Sequence, residues 1–346
     1  MPRGLRSSIP SPSTRRGRSS GNYYDAGSLT HSFLRTRDGT LTPFDPPGAT
    51  CSLSTSSTCS ASIGINPAGT ITGTYQDASF AVHGFLRTRD GTFTTFDAPG
   101  SAGTEPSGIN PAGAITGAYF STFLISGFLR TPGGTFITFN PPNSTSTAPV
   151  GSNPVGAIAG QYFVFLARPQ NQGFLRGRDG SFITFNPPNS TYTNPVGINP
   201  EGAITGWYID ASSVVHGFLR TRDGTLITID APGAGTGSFE GTVAAGINAG
   251  GTITGHYSDA NFNSHGFLRT RAGNFTTFDP RAPMARPSSP ASTTGGQSRE
   301  TTLTQQVMCF TASCGAPDIP SAGRALDGLR ITVTVLSTSP TRLRFV

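Results

Sequence analysis

The chain has no lysine, and only 12% of its residues are charged. All 24 basic side chains are therefore Arg, and their placement decides whether the net charge of +6 signals a nucleic-acid partner. Residues 1–20 and 281–346 together carry 12 Arg against Glu300, Asp318 and Asp327. Residues 21–280 carry 12 Arg against 15 acids, so the repeated body is mildly acidic and no nucleic-acid partner is expected. Apolar runs of about 18 residues are also missing, which leaves no candidate membrane-spanning helix. The first 20 residues are basic but lack the apolar core of a signal peptide. Helix signals are nearly absent. No nucleophile elbow, zinc-binding helix motif, phosphate loop or pair of catalytic carboxylates is found, so no catalytic residue, cofactor or metal ligand is assigned.

Turn and strand formers are abundant, with 45 Gly, 28 Pro and 24 Phe in 346 residues. Gly and Pro at that level, mixed with Thr, Phe and Ile, predict many short strands joined by tight turns. Self-comparison makes the pattern explicit. The stretch GINPAGTITGTYQDASFAVHGFLRTRDGTFTTFDAPG begins at Gly64 and returns from Gly108, Gly151, Gly197 and Gly246, at spacings of 44, 43, 46 and 49 residues. A further copy without its beginning occupies 21–48. Each copy divides into four extended pieces, one ending at GIN, then TITGTY, HGFLRT and TFTTFD. NPAG and RDG supply the turn residues between them. Phe136 and Phe139 in TFITF break strict alternation, which predicts a bulge or face switch in the last strand.

Four strands in roughly 40–50 residues is the size of a propeller blade. The expected fold is all-β: a β-propeller of about six four-stranded blades, with an incomplete ring allowed, and a β-solenoid as the alternative. The repeats are placed near 21–62, 63–107, 108–150, 151–196, 197–245 and 246–280. Residues 1–20 and 281–346 are expected to be disordered tails. Both tails also read as repeats translated out of frame. One frame over, residues 291–302 permit Ile-Asn-x-x-Gly-Ala-Ile-Thr-Gly-Asp-Tyr, and residues 309–315 permit Phe-His-Gly-Phe-Leu-Arg. Residues 12–21 permit Ile-Asn-x-Glu-Gly-Ala-Ile-Ile-Gly. On that reading Cys309 and Cys314 form no site, and the body belongs to a longer array whose export signal lies upstream.

The motif GINxxGxITGxY…HGFLR resembles the HAF-type extracellular repeat of bacterial secreted proteins, with His-Gly-Phe at His83, His216 and His265 in place of His-Ala-Phe. The resemblance spans residues 21–280 and implies an extracellular or cell-surface repeat protein without an established enzymatic activity. Ser126 and Gln172 depart from it at the His position. The repeated polar positions admit structural and functional readings. Asp77 and His83, Asp210 and His216, and Asp259 and His265 are each six residues apart, and they either cap and brace a turn or contribute to a metal site. Arg87, Arg130, Arg176, Arg220 and Arg269 form surface or inter-blade ion pairs, or else an anion-binding ring. Tyr75, Tyr119, Tyr162, Tyr208 and Tyr257, with Trp207 beside them, are core residues or a sugar-stacking platform. Cys51 and Cys59 lie in one loop as a possible disulfide or as free thiols. The expected role is a non-enzymatic binding or structural scaffold. The alternative is a carbohydrate-binding or hydrolytic propeller using its channel mouth, and a carbohydrate or a protein would be the partner.

Overall fold

A computed structural model describes residues 8–13, 17–50, 58–122, 124–165 and 170–279. These form 24 strands in six four-stranded antiparallel meanders, covering 8–44, 60–96, 103–139, 146–185, 190–229 and 241–278. In the third sheet the strands are Gly103–Ile109, Ile115–Phe120, Ile125–Arg130 and Phe136–Phe139. The architecture is a β-propeller, in which each repeat builds a sheet and successive sheets stack face to face. The four inner sheets are covered on both faces, and this explains a composition that lacks simple inside–outside alternation.

Local chemistry sets each turn. Asn110 Oδ1 accepts the Ala114 N–H at 3.0 Å, and Asn66, Asn153, Asn199 and Asn248 repeat that bond in their own sheets. The Gly of ITG is required by close approach. A Cβ on Gly117 would lie 2.2 Å from the Glu105 carbonyl oxygen and 2.7 Å from the Phe128 ring. The first strand of that sheet shifts register beside this contact, with Thr116 opposite Gly108 and Gly117 opposite Pro106.

Between sheets the core is a repeated sandwich. Phe85, Phe128, Phe174, Phe218 and Phe267 are fully buried, as are Ile71, Ile115, Ile158, Ile204 and Ile253. Burying one such side chain contributes roughly 1.5–3 kcal/mol. A hydroxyl in the next sheet's first strand then ties neighbours together. Thr104 Oγ1 accepts the Ala98 N–H at 3.0 Å, Thr242 Oγ1 accepts that of Ala231 at 2.9 Å, and Thr147 donates to Asn140 Oδ1 at 2.8 Å. The fourth strand has only four residues and leaves the start of the third strand open. There the next sheet adds one parallel bridge, as between Ile125 and Ser146. All six sheets consequently point the same way, with turns 1–2 and 3–4 at one end and hairpin 2–3 with connection 4–1 at the other.

Several expectations require correction. A solenoid would stack strands of successive repeats in parallel, whereas each repeat here closes an antiparallel meander of its own. The boundaries shift, because the strand ending at GIN opens a sheet: residues 103–109 begin the third sheet and do not close the second repeat. The head expected to be disordered supplies a strand, Ser8–Ser13, paired with Ser19–Tyr24. The fourth strand has no bulge, since Phe136 to Phe139 pairs regularly with Gly127 to Arg130. Spacing of three puts those two rings on opposite faces, where Phe136 packs near Phe128 and Phe139 near Phe174. Residues 281–346, with Cys309 and Cys314, lie outside the described residues.

Candidate functional site

The hairpin between the second and third strands starts at an Asp in four sheets. Asp77 Oδ1 accepts the Ser79 and Ala81 N–H groups at 2.8 and 3.0 Å, while its Oδ2 lies 3.3 Å from His83 Nε2. His83 Nδ1 meets Asp97 at 2.9 Å, at the end of the fourth strand. The imidazole is thus held between two carboxylates, and it stacks on Tyr75 with ring centroids 5.1 Å apart. The same unit recurs as Asp25, His31 and Asp45, as Asp210, His216 and Asp230, and as Asp259, His265 and Asp279. Burial acts to lower the His83 imidazole, but hydrogen bonds and charge from Asp97 and Asp77 outweigh it and hold it above the ordinary histidine value. For His265 the bond to Asp279 dominates in the same direction.

Sequence reading finds the Asp six residues before each His and misses the one fourteen residues after it. Its signal is present, because the ending FD or ID accompanies His while FN accompanies Ser126 and Gln172. In the third sheet Asn140 Nδ2 donates to Ser126 Oγ at 3.0 Å, and in the fourth Tyr162 donates to Gln172 at 2.8 Å. The imidazole and both carboxylates leave together, and a neutral pair takes over. The two carboxylates of each unit address opposite nitrogens of one ring and do not converge on a common point. Among the described residues no group of three or more His, Cys, Asp or Glu could hold a metal ion.

The repeated Arg residues do not form the ion pairs expected of them among the described residues. Each lies between sheets on a ring of the preceding fourth strand: Arg87 over Phe44 at 4.9 Å, Arg130 over Phe96 at 4.9 Å, Arg176 over Phe139 at 5.0 Å and Arg220 over Phe185 at 5.2 Å. Ile229 offers no ring, and Arg269 turns to its own sheet's Phe275 at 6.0 Å. Nε of Arg87, Arg130, Arg176 and Arg220 is buried without a hydrogen-bond partner, which suits a guanidinium held by its flat face. Tyr75, Tyr162, Tyr208 and Tyr257 are buried in the inter-sheet cores and Tyr119 is half-buried, so this slot presents no platform to solvent. Trp207 stacks on Tyr192. Cys59 is disulfide-bonded and fully buried; Cys51 lies outside the described residues.

What remains at the surface is divided by end. All twelve described Arg residues sit at the 1–2 and 3–4 turns, with Asp38, Asp90, Asp179, Glu201 and Asp223. The hairpin end carries the eight Asp of the histidine units and Glu240, with no described Arg. It also carries Tyr24, Phe80, Leu124, Phe165, Phe239, Phe262 and Phe278, seven of the eleven exposed large hydrophobics among the described residues. Backbone conformation separates the ends as well. Each of the twelve turns at the Arg end has a Gly at positive φ. In the 2–3 hairpins the left-handed position is held by Ser28, Phe80, Ser213 and Phe262, while the 4–1 connections at the same end use Gly48, Gly100, Asn143, Asn189, Gly233 and Phe239. Phe80 has φ 66° and is 49% exposed; Phe262 has φ 60° and is 66% exposed. A bulky side chain there costs roughly 1–2 kcal/mol, and exposure means that burial does not offset it.

No family model matches the chain, and no curated protein matches it. Solved structures do. One from a study of two prolyl endopeptidases aligns over 80% of this chain and 43% of its own length, at TM-score 0.57 and 10% identity. TolB from Acinetobacter baumannii aligns over 77% of this chain and 64% of its own, at TM-score 0.50 and 12% identity. The BP39L lectin from Burkholderia pseudomallei aligns over 81% of this chain and 87% of its own, at TM-score 0.50 and 10% identity. The chain thus spans less than half of the first of these proteins and under two thirds of the second. At such identities the likeness concerns the fold alone.

Proposed function

We propose that this chain is a non-enzymatic binding scaffold of the extracellular-repeat type, and that the hairpin end is its contact face. The observation that carries the reading is the pair Phe80 and Phe262, exposed rings held in a conformation that favours glycine. A fold so rich in Gly places one at every turn of the opposite end, so an exposed Phe in a strained turn serves something other than stability. The repeated His positions stack on the Tyr positions and the repeated Arg positions lie on Phe rings, which supports a scaffold role for them. A disulfide at Cys59 suits an oxidising compartment such as the cell exterior.

A carbohydrate ligand is the second reading, favoured by exposed rings interleaved with carboxylates such as Asp279, whose side chain is 72% exposed. Rings of this kind stack on the apolar face of a pyranose while carboxylates accept its hydroxyls. The test is a panel of immobilised polysaccharides and surface-protein fractions probed with wild type and with the Phe80→Ser, Phe262→Ser double variant. Retention should fall at least about tenfold, while the variant unfolds at higher denaturant than wild type. Equal retention by both proteins on every surface would sink the reading.

A further inference from the structure

Four internal sheet junctions repeat one motif, in which a fourth-strand Phe is covered by the next sheet's Phe and Arg. Phe44 packs edge-on to Phe85 with Arg87 above it, and Phe185 packs against Phe218 beneath Arg220. Ile229 does the same job in the fifth sheet, packed with Ile253 and Phe267. The exposures are 9% for Phe44, 8% for Phe96, Phe139 and Phe185, and 1% for Ile229. In the sixth sheet the equivalent residue, Phe278, is 56% exposed. At the other extreme, the first sheet's Arg35 occupies the slot of Arg87 and is exposed, with no described aromatic ring beneath it. Half-buried Tyr23 and Leu41 flank it in the slots of Tyr75 and Phe93, while Phe33 is already covered.

Among the described residues, Phe278 and Arg35 are therefore the two unmatched halves of a contact that the molecule makes four times internally. We propose that they meet between molecules, the face of the sixth sheet that carries Phe278 receiving the first sheet of a second copy of this chain. The occupant is fixed by continuity, since the geometry that buries Phe44, Phe96, Phe139 and Phe185 is the one a first sheet can present. Head-to-tail contact of this kind is heterologous, and it grows into a ring or an open filament according to the rotation per step. Ser19 stands where the five other sheets have a fully buried Ile, so the contact is weaker than the internal junctions. Self-association is accordingly reversible and concentration-dependent.

The experiment uses the full chain in analytical ultracentrifugation over a wide concentration range, with Phe278→Asp and Arg35→Glu as variants. Both positions are exposed, so the fold survives either change, and far-ultraviolet circular dichroism confirms this. Wild type is expected to self-associate, and each variant alone to weaken association at least about tenfold. Because each variant spoils a different half, an equimolar mixture should recover a 1:1 pair through Arg35 of one protein and Phe278 of the other. The proposal is overturned if wild type stays monomeric, if only Phe278→Asp dissociates it, which indicates sixth sheets pairing face to face, or if mixing restores nothing.

Discussion

The two ends of the propeller are made from the same four strands and obey different rules. At the Arg end every turn has its Gly, each sheet's strand-end guanidinium from the second to the sixth lies on a ring, and Val155 is the one exposed large hydrophobic in those turns among the described residues. At the hairpin end, the left-handed positions of the 2–3 hairpins carry Ser or Phe, charges are paired through imidazoles, and aromatic rings face solvent. The first set of choices minimises free energy locally. The second accepts strain and exposed apolar area, and that difference is the ground on which the hairpin end is proposed as the contact face.

Substituting one end by the logic of the other breaks the comparison most severely at Gly224, which has φ +98° in the fifth sheet's 3–4 turn. Gly224→Val should destabilise by about 2–3 kcal/mol, because a β-branched residue is forced into a conformation it resists. The denaturant midpoint reads this directly. A loss below about 0.5 kcal/mol would show that the Arg end tolerates strain as readily as the hairpin end. The reverse exchange, Phe262→Gly, should stabilise by up to about 1 kcal/mol, since relief of the left-handed Phe exceeds the added freedom of Gly in the unfolded chain. Were Phe262→Gly clearly destabilising, the ring would have a packing role in the fold and that end would lose its claim to be a contact face.

Much of this was legible in the sequence because a repeat carries its own alignment. Strand number, turn chemistry and the fully buried Ile and Phe emerge from GINxxGxITGxY and HGFLR compared across copies. Sheet phasing was not, since a strand boundary is marked by turns while membership of a sheet depends on pairing: residues 103–109 precede a GIN turn yet pair with the strand beyond it, Ile115–Phe120. The Arg positions were found and their partners mistaken. Charge balance within one copy suggests the neighbouring Asp, whereas for Arg87, Arg130, Arg176 and Arg220 the ring beneath the guanidinium lies in the preceding sheet, as Phe44 does for Arg87. The division between ends was invisible for a similar reason, because it emerges only when all sheets are known to point the same way. Phe80 and Phe262 look like ordinary strand-flanking aromatics until their φ angles are seen.

The smallest expected effect separates sheets that carry the histidine unit from the third and fourth, which do not. Asp97 and Asp77 hold the His83 imidazole above its ordinary value of 6.5, so the stability this gives is complete below that pH and is lost as pH rises through the folded value. Asp77 is held below 3.8 despite burial, by His83 and by backbone N–H groups, and Asp259 is lowered to about 2, chiefly by its bonds to Asn263. Their contribution is complete above 3.8 and disappears as pH falls through the lowered values. The His83 unit thus favours the native state most between pH 3.8 and 6.5. Other groups overlay this dependence. Burial pushes Glu105 up to about 7 and lowers His256, so Glu105 reinforces the loss on the alkaline side while His256 opposes it. The unit must be isolated by difference, using His83→Ser with Asp97→Asn to install the neutral pair found at Ser126 and Asn140. Denaturant midpoints at pH 6 and pH 8 should lie closer together in this double variant than in wild type, and an unchanged separation would reassign the pH dependence to Glu105.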